Sequence, residues 1–94
     1  MENSSLQNPP VIYKEHSYSV TMKAQTFHNH TFDLEIIEGY TPIFVAIANI
    51  PYKSAITTVN INTDTMKCEI QMSSYYQYDT NDYLTTVRVV YIKS

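Results

Sequence analysis

The chain has 94 residues and a net charge of −3, with 16% charged and 44% hydrophobic residues. That length holds one domain with a single core, which buries about 60–65% of the surface of the unfolded chain. Without a Lys/Arg cluster the chain lacks the electrostatic attraction on which non-specific nucleic-acid binding depends, and no apolar stretch approaches the roughly 18 residues of a membrane span. Residues 1–10, which end in Pro9-Pro10, carry neither a basic region nor an apolar core and read as a polar leader or linker, not as a secretory signal. The charged fraction lies below the roughly 25% usual for globular domains. Ser, Thr, Asn, Gln and Tyr must therefore make up much of the surface, which suits a domain covered in part by copies of itself or one that touches neutral polar ligands.

A single sandwich domain is expected over residues 11–94. Val11 to Tyr13 reads as a short edge strand. Tyr18, Val20 and Met22 then alternate with Ser17, Ser19, Thr21 and Lys23, as Phe32, Leu34 and Ile36 do with Thr31, Asp33 and Glu35, so each run predicts a half-buried strand. Gly39, the only glycine, and Pro42 specify a turn at 38–41. Residues 43–48 are apolar without interruption, which predicts a central strand covered on both faces. A short buried helix is the competing reading, and the β-branched Ile43, Val45, Ile47 and Ile50 favour the strand.

Pro51 marks a loop, because it cannot donate to a ladder. Thr57–Asn62 and Met66–Ser73 alternate on either side of Asn62-Thr63-Asp64-Thr65, the pattern of a hairpin with Val59, Ile61, Met66, Cys68, Ile70 and Met72 facing inward. Residues 74–83 break every period, and Leu84–Lys93 forms the last strand. About seven short strands without an amphipathic helix predict an all-β antiparallel sandwich of jelly-roll type. Its buried set should include Val20, Phe32, Leu34, Val45, Ile47, Val59, Ile70, Val87 and Val89.

The Gly39-Tyr40-Thr41-Pro42-Ile43 turn with the small and branched apolar residues after it, and the closing Val87-Arg88-Val89-Val90-Tyr91-Ile92-Lys93, resemble the C-terminal domains of phage and prophage tail-fibre and receptor-binding proteins. The resemblance covers about residues 16–94. Phe44 stands where members of that family often carry glycine, which adds bulk to one face of the strand. The resemblance implies a small sandwich knob, usually a homotrimer, made in the host cytoplasm and carried at the tail-fibre tip of the virion. There it would recognise a bacterial cell-surface saccharide. The alternatives are a structural virion component without receptor binding, such as a connector or decoration protein, and a small intracellular protein-binding module.

Four of the nine tyrosines fall in residues 75–83, and the candidate ligand-binding set is Tyr75, Tyr76, Tyr78, Asp79, Asn81, Asp82 and Tyr83. Tyrosine offers a flat apolar face at little rotamer cost, and the Asp and Asn side chains supply acceptors and donors for sugar hydroxyls. The bland reading of the same stretch is the cover of a sandwich end or a subunit contact. His28-Asn29-His30 is a possible metal motif, since residues two apart on a strand share a face. Some phage fibres hold iron through such motifs from three chains, but these two rings fall between predicted strands, where exposure is the default, and no metal or cofactor is expected. His16 reads as an exposed edge residue. No enzyme is expected either: Gly39 precedes Tyr40, not a nucleophile, and Asp33 and Glu35 fall on a solvated face. Cys68 reads as a buried core thiol.

Overall fold

The computed structural model describes residues 9–94; the leader expected over residues 1–10 lies outside the described residues up to Asn8. Six strands follow in order: β1 (Val11–Met22), β2 (Phe27–Asp33), β3 (Tyr40–Asn49), β4 (Ser54–Asn62), β5 (Lys67–Ser74) and β6 (Thr80–Lys93). They form two antiparallel three-stranded sheets, one ordered β1-β6-β3 and the other β2-β5-β4. The two sheets enclose one core, so the chain is an all-β sandwich.

The strands differ from the expected seven because Val11–Tyr13 and the run from Ser17 to Met22 are one continuous strand paired along β6. Their shared parity explains the fusion: Tyr18, Val20 and Met22 face the core as expected, and Ile12 lies on the same side, packed against its end. The second strand is displaced towards the N-terminus, to Phe27–Asp33, which leaves Ile36 exposed and Leu34 buried just beyond the strand end. The expected hairpin forms with its turn extended one residue, to Met66, so that β5 begins at Lys67, and Cys68, Ile70 and Met72 are fully buried. Asn62 Oδ1 accepts from the backbone N–H groups of Asp64 and Thr65, closing that turn. Gly39 has φ +84° in the turn before β3, and Gln25, Lys53 and Met66 take the left-handed conformation in turns that have no glycine.

The largest correction concerns the central strand. That place belongs to β6, flanked by β1 and β3, whereas β3 is an edge. In β6, Thr85, Val87, Val89 and Tyr91 face the interior and are buried, and Tyr91 donates its hydroxyl to the Glu35 carbonyl at 2.8 Å. Val90 points the other way and is buried as well, beneath its cross-strand neighbours Tyr13 and Phe44 on the outer face of the sheet. The apolar run in β3 does not make it central: Ile43, Phe44 and Ile47 are exposed.

Of the expected core, Val20, Phe32, Leu34, Ile70, Val87 and Val89 are buried and Val45 is half-buried. Ile47 and Val59 are not buried. They are 53% and 37% exposed although their cross-strand neighbours Val87 and Ile70 are fully buried. Both belong to edge strands at the β3/β4 margin, where their inward side chains stay open to solvent.

Candidate functional site

The loops joining β1 to β2 (residues 23–26), β3 to β4 (50–53) and β5 to β6 (75–79) gather at one end of the sandwich. Backbone hydrogen bonds tie them together: Ser74 N donates to Thr26 O at 2.8 Å, and Tyr75 N donates to Lys53 O at 3.0 Å. The first and last described residues lie at the other end, where Lys93 N donates to Pro10 O and Ser94 N to Gly39 O.

Tyr76 and Tyr78 from the expected set meet edge to face with ring centroids 5.3 Å apart, and Tyr76 makes a similar contact at 5.2 Å with Tyr52 of the β3–β4 loop. Such T-shaped pairs align the positive edge of one ring with the negative face of the next. Lys53 Nζ lies 5.5 Å from the Tyr52 ring and 5.7 Å from the Tyr76 ring, close enough for a cation–π attraction to both. Tyr52, Tyr75 and Tyr78 are exposed and Tyr76 is half-buried beneath its neighbours. The result is an aromatic surface with one cation at its rim. Among the described residues there is no enclosed pocket, so any ligand here would meet a surface and not a cleft.

The remaining expected residues are placed differently. Asp79 Oδ1 accepts from Ala24 N at 2.8 Å and Oδ2 lies 3.6 Å from Lys23 Nζ, so this carboxylate pins the 23–26 turn to the loop beside it. Asn81, Asp82 and Tyr83 already belong to β6. Asp82 has φ +50° beside the register shift between Val20 and Met22, and its N–H donates to Thr21 Oγ1. Tyr83 donates its hydroxyl to Asn49 Oδ1 at 3.0 Å. Tyr52 and Lys53 were missed by sequence reasoning, because only contacts between loops distant in sequence bring them to Tyr76. The local signal was a tyrosine directly after a loop proline.

The histidines need a second correction. His28 and His30 lie within β2 and not in an irregular stretch, and both are half-buried on its inward face. His16 is half-buried too: its ring stacks on Phe32 at 3.8 Å, while Tyr18 stacks on His30 at 3.6 Å. His16 Nε2 and His30 Nε2 are 3.0 Å apart, a hydrogen bond in which one ring N–H donates to the other ring's lone pair. Burial lowers the pKa of both, and for His30 the charges that His16 and His28 would carry act in the same direction. Among the described residues no three His, Cys, Asp or Glu side chains converge on a common point. Burial pushes the Cys68 thiol up to about 11, which keeps it protonated and unreactive at neutral pH. Asp33 and Glu35 are solvent-exposed and pair with Lys67 at 2.6 Å and Lys14 at 3.7 Å.

These features define a small antiparallel β-sandwich with an aromatic loop end. Comparison with protein-family models, curated proteins and solved structures finds no match for the chain.

Proposed function

We propose that the protein is a non-enzymatic recognition domain and that the Tyr52–Tyr76–Tyr78 cluster, with Tyr75 beside it, is its contact surface for a saccharide. The observation that carries this reading is the grouping of exposed tyrosine rings on interlocked loops at the end of the sandwich away from the first and last described residues. Binding surfaces commonly sit on loops held by a rigid scaffold, and flat aromatic faces match the C–H faces of sugar rings. Lys53 adds a charge contact for a sugar that carries carboxylate or phosphate. A phage fibre tip facing a bacterial surface is the setting implied by the resemblance of residues 16–94, and that setting rests on the resemblance alone.

A shallow surface buries little area, so a single site should bind weakly; a millimolar dissociation constant corresponds to about 4 kcal/mol. The test is a glycan array of neutral and acidic saccharides probed with wild type, Tyr76→Ala and Tyr78→Ala. Both variants should fold normally and lose tenfold or more in affinity. Folded variants that bind as wild type does would remove the cluster from the site. Wild type that binds no saccharide would remove the function, and the structural-component reading would take its place.

A further inference from the structure

We infer that the exposed edge of β4 is a self-pairing surface, on which a second copy of the chain docks through its own β4 about a two-fold axis. An edge strand presents unpaired backbone N–H and C=O groups, and natural sheets normally blunt such edges with charge, proline, bulges or brevity. Three of the four edges here are blunted. β1 carries Lys14 and Glu15 and a register shift near its end, β2 carries the charge of Asp33, and β3 contains Pro42 and two register shifts. β4 has no charged residue and no proline, and beyond the single irregularity between Ile56 and Thr58 its segment Thr58–Asn62 is regular.

The side-chain pattern of that segment is complementary to itself. Antiparallel pairing centred on Asn60 sets Asn60 opposite Asn60, Val59 opposite Ile61 and Thr58 opposite Asn62. Strand parity then keeps polar residues together on the outer face and apolar ones together on the inner face. The charged neighbours Lys67 and Glu69 sit one strand further in, opposite Asn62 and Asn60. Across the two-fold they are separated from their counterparts by about 14 Å, three strand spacings, which exceeds the Debye length of about 10 Å at 0.1 M salt. Pairing continues the sheet as β2-β5-β4-β4-β5-β2 and brings the inward Val59 and Ile61 of the second copy towards the exposed Ile47. That explains why Ile47 and Val59 face the interior yet stay 53% and 37% exposed in a single chain. The pairing is isologous and closes at two copies, in place of the three implied by the resemblance.

Sedimentation velocity on the full chain tests the proposal, with Asn60 as the lever because it is exposed and faces outward. Wild type should sediment as a dimer at high micromolar concentration. Asn60→Lys sets two cations directly opposite each other and should sediment as a monomer with an unchanged far-UV spectrum, and mixing it in equal amounts with Asn60→Asp should restore the dimer. Asn60→Cys should cross-link to itself under mild oxidation, and this keeps the test valid if the lysine variant fails to fold, since Cys68 is buried. A monomeric or trimeric wild type overturns the proposal. So does a dimer that survives Asn60→Lys without Asn60→Cys cross-linking, which would move the contact elsewhere, for example to the outer face bearing Val11, Tyr13, Phe44 and Ile92.

Discussion

Along the β1/β2 margin, His16 and Tyr18 of one sheet stack on Phe32 and His30 of the other, whereas along the β3/β4 margin Ile47 and Val59 turn towards the same interior and remain half-exposed. The difference is one of reach. Opposed sheets stand about 10 Å apart, a distance that two planar rings fill from either side and two short aliphatic side chains do not. At the closed margin the rings also carry nitrogen, so the seal is partly a hydrogen bond, between His16 and His30. The open margin holds only apolar atoms that water can reach. One margin is thus covered by rings from both sheets and sensitive to protons, and the other is open to solvent.

Shortening one side chain in the filled interior and one on the open margin separates the two environments. Ile70→Ala removes a fully buried side chain and should cost about 2–5 kcal/mol in denaturant unfolding. Val59→Ala, next to it across the ladder, should cost less than about 1 kcal/mol in the dilute monomer, because one side of it is already open to solvent. Equal losses would mean that Val59 is packed as tightly as the interior and that the β3/β4 margin is closed.

A smaller effect is expected from the histidines of the β1/β2 margin. Because the folded pKa values of His16 and His30 lie below the unfolded value, the unfolded state binds more protons in the intervening range, and stability must fall as pH falls there. The contribution is complete above the unfolded histidine value of about 6.5 and is lost as pH drops below it towards the lower folded values. Thermal unfolding followed from pH 7.5 to 5 should show this decline. His16→Phe keeps a ring against Phe32 and should flatten the slope. A slope unaltered by that substitution would assign the decline to other groups.

Much of the sandwich was legible in the sequence, and its failures have identifiable causes. The 57–73 hairpin and the inward set of β1 follow from strict period-2 alternation, which survives in any half-buried strand. The apolar run 43–48 predicted a central strand because that rule assumes apolar residues are covered. In β3 they are instead left open on an edge, and the central strand is β6, whose inner face is buried and whose outer face buries only Val90; there Val87, Val89, Val90 and Tyr91 carried the same signal interrupted by Arg88. The histidines of β2 were placed between strands because the second strand was begun at Thr31, although His28 and His30 keep the parity of Phe32. At the loop end, Tyr75, Tyr76 and Tyr78 could be found from composition. Tyr52 and Lys53 could not, because it is the fold that brings the 50–53 loop against them.

The asymmetry between the margins is tested most directly by thiol labelling of the native protein, with Val59→Cys introduced into the Asn60→Lys background and compared with the native Cys68. Both positions face the interior on neighbouring strands of one sheet. The account predicts that Cys at position 59 reacts at close to the rate of a free thiol, while Cys68 reacts only as fast as the protein unfolds. Labelling of both positions at the slow unfolding-limited rate would show a sandwich closed on both sides, and would contradict the open margin from which the β4 pairing is inferred.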